Sequence, residues 1–384
     1  MVVYMEVFSG RTKNKIRFMA FLLCVIVALV CLCLLHETNK KEDGSDAAKR
    51  WQSDRQEFAY ISVYISPEES WKESDRNTLV SGLKMSFQEN SIINEDREDN
   101  SEGLLKDCFS CEGVMEFTNG KNTASAKVTA TGGDFFFFHQ PVWLSGFAYS
   151  NDDVMKDRVV IDKELAWQLF GGENVAGMPF KINGNTYYVA GVVDTPQTEE
   201  EKKVYGEINR AWLPYSAFCK EYQGQDGTSA GTGSAQGAGT GSVPDMVTGT
   251  EEKTSKVPVT CYEIVMPDPV KEWAVKLIQE KLDTEKRKMV VAENSRRTDF
   301  FSVMDNLKSF FYKTAGTQPV AYPYWENAAR ARDIKRELYT VILLIMVIYP
   351  VLLCIKVIVG IYKIADGKIK KRMNKKHSVE IEET

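Results

Sequence analysis

Two apolar runs near the ends of this 384-residue chain constrain it more than anything else in the sequence. The first, Ile16 to Leu35, reads IRFMAFLLCVIVALVCLCLL and carries one charge, Arg17, at its edge. At a helical rise of about 1.5 Å per residue, some 20 apolar residues cross a hydrocarbon core of about 30 Å. A cleaved signal peptide has a shorter apolar region, about 7 to 15 residues, and ends on small residues. Here the run closes on Cys33-Leu34-Leu35-His36, and neither Cys31 nor Cys33 follows a small residue. Residues 16–36 are therefore expected to form an uncleaved membrane span. The second run, 338–361, is LYTVILLIMVIYPVLLCIKVIVGI. Pro350 should kink that helix. Lys356 lies close to its cytoplasmic end, where a lysine lays its stem on apolar surface and its ammonium among headgroups.

Orientation follows from Lys and Arg near the span ends. Arg11, Lys13, Lys15 and Arg17 precede the first span. Lys363, Lys368, Lys370, Lys371, Arg372, Lys375 and Lys376 follow the second. Both termini, 1–15 and 362–384, are thus expected in the cytoplasm, with residues 51–325 outside it. The formal net charge of -5 divides unevenly, because the basic residues crowd the cytoplasmic ends. An acidic outer domain disfavours a nucleic-acid partner. The basic tail either meets anionic lipid or stays solvated.

Between the spans, a polar tether (39–50) leads to a period-two strand, Phe58 to Ile65, with Ala59, Ile61, Val63 and Ile65 on one face. A helix fits Pro67 to Glu89 with Ser66 as its N-cap. Residues 90–112 read as polar and irregular, and a hairpin follows: Val114 to Thr118, a turn at Asn119-Gly120, and Ala124 to Thr131. Downstream the same order recurs. Cys261 to Met266 reads as a strand, Pro269 to Leu282 as a helix with a stripe at Val270, Trp273, Ala274, Leu277 and Ile278, and Met289 to Ala292 as a strand. The expectation is an α+β domain: a split, ferredoxin-like layer of two β-α-β units with an α/β subdomain inserted at about 134–257. The insertion ends in GQDGTSAGTGSAQGAGTG, Gly224 to Gly241, whose composition predicts a disordered loop over 224–256.

Chemistry-bearing residues are sparse. Cys24, Cys31, Cys33 and Cys354 sit in the spans and read as small apolar residues. Cys108 and Cys111 form a C-x-x-C without a second pair or a nearby histidine, so a disulfide or two free thiols is favoured over a redox or metal site. Cys219 and Cys261 are a second possible pair. His36, His139 and His377 are scattered, and His139, beside Phe138 and Pro141, reads as a packed residue rather than a ligand. No catalytic, cofactor or metal site is expected, and no enzymatic activity.

The most informative stretch runs from Asp157 to Pro196. Val159 to Ile161 is a strand, Asp162 caps a helix with Leu165, Leu169 and Phe170 on its apolar face, and Gly171-Gly172 ends it. Phe180 to Ile182 and Tyr187 to Val193 form a hairpin around Asn183-Gly184, with Gly191 a bulge or close backbone approach. Glu164, Ala166, Leu169, Phe170 and Gly171, then Gly177, then Ile182, Asn183, Gly184, Tyr187, Val189, Gly191 and Val192 resemble the core-domain pattern of MacB-like and FtsX-like ABC transporter permeases. Gly132 to Phe136, Leu144 to Gly146 and Tyr322 to Ala329 also look like parts of that domain.

The resemblance implies an extracytoplasmic domain that relays ATP-driven motion, an ABC ATPase partner, and a place between the first two of four spans. This chain shows two, so a companion membrane subunit or a homo-oligomer is implied as well. The expected function is a membrane-anchored permease-like subunit or accessory protein of an ABC-type transport, efflux or mechanotransmission system. The alternative is a membrane-tethered binding or sensory module without transport activity. A pre-membrane helix, 326–337, is expected to join domain to span.

Overall fold

The computed structural model describes residues 2–51, 56–92, 103–196, 199–206, 208–223, 257–284, 287–308 and 320–382. The predicted loop at 224–256 lies outside them. Two compact units emerge.

The first unit comprises residues 1–41, 303–308 and 332–384. Its two long helices are α1 (Val2–Ser45) and the last helix of the chain (Tyr324–Glu382), which runs through Pro350. Each contains a stretch long and apolar enough to cross a membrane, Arg17–Lys41 and Tyr324–Gly367, with apolar side chains turned outward instead of into a core. A soluble core helix would bury that surface. The helices lie side by side where Arg336 Nε donates to Asn39 Oδ1 at 2.9 Å, and Arg336 also pairs with Asp333 at 2.6 Å.

The second unit holds residues 42–302 and 309–331. It opens on α2 (Ala47–Trp51), capped by Asp46, which accepts from Ala48 N at 2.9 Å. The 39–50 stretch is therefore helical, correcting the expected tether: Ala47 and Ala48 are buried, and burying them offsets the ordering cost of a polar segment. There follow β1 (Phe58–Ile65), a 3-10 turn at Pro67–Glu69, α3 (Glu73–Glu89), β2 (Lys106–Asn119), β3 (Asn122–Gly133), α4 (Phe135–Phe138), β4 (Trp143–Gly146), β5 (Arg158–Asp162) and α5 (Lys163–Phe170). Then come β6 (Pro179–Ile182), β7 (Asn185–Val193), α6 (Glu199–Tyr205), β8 (Arg210–Pro214), α7 (Tyr215–Gln223), β9 (Cys261–Pro267), α8 (Trp273–Leu282), β10 (Met289–Glu293), α9 (Phe300–Lys308) and α10 (Tyr324–Glu382).

The strands form a single mixed sheet ordered β10-β1-β9-β2-β3-β8-β5-β7-β4, with β6 bridging β2 and β7. From β10 through β3 every pair is antiparallel; β3–β8 and β5–β7 are parallel. Residues 134–257 contribute β4 to β8 to this sheet. Period two divides the sheet cleanly: Ala59, Ile61, Val63 and Ile65 join the main core beneath α3, α5, α7 and α8, while Tyr60 and Tyr64 point into the opposite face. Both faces are covered, so β1 and β9 are buried nearly end to end.

Several local expectations shift. The helix predicted from Pro67 breaks at Ser70 (φ 50), which lets Trp71 enter the core, and restarts at Glu73, where Asp75 accepts from Lys72 N at 2.8 Å. Residues 106–112, read as irregular, are strand, because Asp107 is satisfied by Arg76 at 2.6 and 2.5 Å and does not disturb the ladder. The first hairpin turns on Gly120-Lys121, one residue later than expected, with Gly120 (φ 62) at the first central position as a type II′ turn requires. Residues 269–272 are a turn ahead of α8, so Val270 is exposed and falls off the predicted stripe. Cys108 and Cys111, three apart on one strand, face opposite sides of the sheet, as do Cys219 and Cys261. All four are buried free thiols, so neither suggested disulfide forms.

Candidate functional site

Residues 320–331 are seated on the sheet face opposite the main core through the side chains of Tyr322, Tyr324, Trp325 and Glu326. Tyr322 packs edge-on against Tyr64 of β1, with ring centroids 4.8 Å apart, beneath the Arg330 guanidinium at 4.1 Å. Tyr324 and Tyr205 hold the Arg210 guanidinium at 4.3 and 4.7 Å from their ring centroids. Trp325 lies against His139, with ring centroids 4.4 Å apart and planes tilted by 44°, and meets Phe135 edge-on at 5.6 Å. Glu326 accepts at both oxygens from Arg297 Nη2, each at 2.7 Å, and both side chains are buried.

Beneath Trp325 lies a polar knot centred on Glu263, in the middle of β9 and 1% exposed. Its Oε1 accepts from Tyr60 OH at 2.5 Å and Ser62 Oγ at 3.0 Å; its Oε2 meets His139 Nε2 at 2.5 Å and Cys108 Sγ at 3.8 Å. Asn294 Nδ2 donates to Ser62 Oγ at 2.7 Å, extending the knot to the loop after β10. Burial alone would raise the Glu263 carboxyl, but the His139 charge and the bonds from His139, Tyr60 and Ser62 outweigh it and hold it below the ordinary carboxylate range. Burial, reinforced by that carboxylate, pushes the Tyr60 phenol and the Cys108 thiol far up, so both keep their protons. A thiol so placed is a poor nucleophile.

A second buried carboxylate, Asp162, sits at the N-terminus of α5. It accepts from Leu165 N at 2.8 Å, Arg210 N at 2.7 Å and Tyr205 OH at 3.1 Å. Burial dominates there and raises it to about 6 despite those bonds. A cleft of about 230 Å³ opens beside it, lined by Glu164, Thr195, Lys202 and Asn209 among others. Within that lining Asn209 is bonded to Gln168 and to Ser125 O.

His139 is packed, as its apolar neighbours implied, and it is also the partner of a buried acid. The motif residues 164–192 build a scaffold: Gly171 ends α5, and Asn183 (φ 49) with Gly184 (φ 84) makes the hairpin turn. Asn183 Nδ2 reaches Glu221 O at 3.0 Å, while Asn185 and Tyr187 OH bond the Glu221 carboxylate at 2.9 and 2.6 Å, tying the hairpin to α7. At Gly191 a Cβ would stand 2.7 Å from the Trp143 ring and 2.9 Å from Phe147 N and O, so it is a close approach, and the β5–β7 register slips at Ala190 just before it. Among the described residues no group of His, Cys, Asp or Glu is placed to hold a metal ion. Glu263, Arg297, Glu326 and Arg210 escaped the sequence reading. For Glu263 a signal existed: a lone carboxylate in the otherwise apolar Cys261–Pro267.

The periplasmic region of MacB from Actinobacillus actinomycetemcomitans is 16% identical, covering 67% of this chain and 94% of that one, with a TM-score of 0.40. The extracellular domain of the noncanonic ABC-type transporter YknZ from Gram-positive bacteria is 12% identical, covering 61% of this chain and 98% of its own, with a TM-score of 0.36. No curated protein matches the chain. The model of the MacB-like periplasmic core domain matches residues 59–246. Over those residues the chain is similar to the MacB-like periplasmic core domain.

Proposed function

We propose that this chain is a permease-like subunit or accessory protein of an ABC-type transport or mechanotransmission system, and that it works by relaying motion and not by catalysis. In this reading α1 and α10 span the membrane with both termini in the cytoplasm, and the mixed α/β domain at 51–325 acts outside it. The cytoplasmic side is met by an ABC ATPase, with further spans supplied by a companion subunit or a second copy. A split ferredoxin-like layer forms the frame of the domain. The order β10-β1-β9-β2, all antiparallel, with α3 following β1 and α8 following β9, supports that part of the reading.

The observation that carries the proposal is the seat of residues 320–331. A simple tether needs no more than a polar linker. Here the segment leading into α10 is fixed to the sheet by a buried ion pair, an arginine held between two tyrosines, and a tryptophan over a buried His–Glu pair. Close packing of this kind transmits displacement and strain, as a relay requires. Inserting a flexible Gly-Ser segment between Arg332 and Asp333 should abolish stimulation of a co-purified ATPase while circular dichroism shows the domain still folded. Unchanged stimulation refutes the relay. Failure of any ATPase to co-purify in mild detergent leaves the tethered binding or sensory module as the better reading.

A further inference from the structure

The polar knot beneath Trp325 depends on one residue whose charge is adjustable. His139 closes α4, and its Nε2 lies 2.5 Å from Oε2 of Glu263. The histidine side chain is 17% exposed and the glutamate side chain 1%, so protons reach the first while the second stays dry. Two aromatic rings lie against the imidazole, Trp325 at 4.4 Å and Phe135 at 4.7 Å between centroids. Protonated, it sets a positive charge against a buried carboxylate and close to two rings, which attract cations within about 6 Å. Neutral, it leaves that carboxylate in the interior with hydrogen bonds but no counter-charge, a costly state, and its attraction for Trp325 weakens.

The groups around the pair do not replace that charge. Burial pushes Tyr60 and Tyr64 of β1, Cys108 of β2 and Cys261 of β9 far up, so all four keep their protons. Arg50 of α2 reaches the end of α4 but donates to Phe137 O and Phe138 O, at 2.8 and 3.0 Å. Arg297 is paired with Glu326 and Asp134 with Lys106, while Arg330 lies over Tyr322. Glu263 itself is held in its ionised form by His139, Tyr60 and Ser62. Histidine is the side chain whose charge ordinarily changes between about pH 5 and 8. We propose that His139 is a proton-operated latch: protonated, it locks residues 320–331 onto the sheet through Glu263 and Trp325, and on losing its proton it lets that segment open. Because the closed seat favours the protonated imidazole, its stability is complete at the acid end of that range and declines as pH rises through it.

The latch concerns how firmly the segment is held, so it stands or falls apart from the relay and its test needs no ATPase. Amide hydrogen exchange of the full-length chain in mild detergent, corrected for intrinsic pH dependence, is compared at about pH 5.5 and about pH 8. Peptides covering 320–331 should lose protection by about tenfold or more at the higher pH, with peptides from β2 and β3 little changed. His139→Gln, whose amide can still donate to Glu263 but carries no charge, should show no such step. A parent without the step, or the same step in H139Q, overturns the latch. Where H139Q fails to fold, Glu263→Gln serves: with no carboxylate to pair, the step must vanish, and its persistence overturns the latch too. Asp162, raised to about 6, titrates in the same window, and its partner Tyr205 meets Tyr324 of the seat with rings 5.3 Å apart. Asp162→Asn should therefore leave the step in place; a step lost in D162N and kept in H139Q assigns it to that acid instead and overturns the latch.

Discussion

Changing Glu326 to alanine is the sharpest test of the seat. Arg297 and Glu326 are 8% and 6% exposed at their side chains, and both carboxylate oxygens sit 2.7 Å from one guanidinium nitrogen. Removing the acid leaves a buried guanidinium without its main counter-charge, which costs about 3 to 5 kcal/mol. Replacing both partners with apolar groups of similar volume is often close to neutral, because the desolvation cost disappears together with the attraction. If residues 320–331 are held by this pair, the loss appears as local opening of that segment. Amide hydrogen exchange of peptides covering it should then speed up by roughly 150- to 4,000-fold, at about 1.4 kcal/mol per tenfold change. Peptides from β2 and β3 should be unaffected. Arg297→Met combined with Glu326→Leu should return exchange to near the parent rate. Exchange in the single variant within about threefold of the parent, or a double variant as fast as the single, would falsify the assignment of the ion pair as the principal clamp.

Three further outcomes follow from the geometry. Asp162 is raised to about 6 when folded, against an ordinary 3.8, so the folded state holds its proton more tightly. Its contribution is then most favourable below about pH 4 and is lost as pH rises to about 6, a swing of about 3 kcal/mol; the parent-minus-D162N stability difference should fall over that window, and a rise would refute the sign. Gly191→Ala should lower Tm by roughly 2 to 10 °C, since its Cβ meets the Trp143 ring and the Phe147 backbone and overpacking costs about 1 to 3 kcal/mol. Denaturing alkylation without reductant should modify Cys108, Cys111, Cys219 and Cys261 completely, and a disulfide-linked peptide would contradict their placement on opposite faces.

The contrast between what could and could not be read ahead of the structure has a physical cause. Phe58–Ile65, Cys261–Pro267 and the Asp157-to-Pro196 stretch announced themselves because local chemistry dictates them: short apolar runs buried nearly end to end, an aspartate cap, an Asn-Gly turn. The turn at Gly120 was misplaced by one residue because types I′ and II′ put the glycine at different positions, and cross-strand pairing rather than the dipeptide decides between them. The seat was invisible for a different reason. Glu263, Tyr60 and His139 are separated by 203 and 124 positions along the chain, so nothing local reports that they meet. Arg297 and Glu326 are 29 apart, yet each taken alone looks like any solvated charge. Burial of the tether at Ala47 and Ala48 depends likewise on an aromatic layer built from α4 and 320–325.

The position of β1 in the sheet also has a consequence for how the chain is made. Both of its neighbours, β9 and β10, come from the far end of the domain, whereas the β2–β3 and β6–β7 hairpins close locally. At about 5 to 20 residues per second, the roughly 200 residues between Ile65 and Cys261 take about 10 to 40 s to synthesise. During that interval Phe58–Ile65, apolar on one face and aromatic on the other, has neither of its strand partners, a state that invites mispairing with another chain. Nascent copies emerging close together are therefore at risk at this strand above all others, and a holding chaperone at the exit side should select it first.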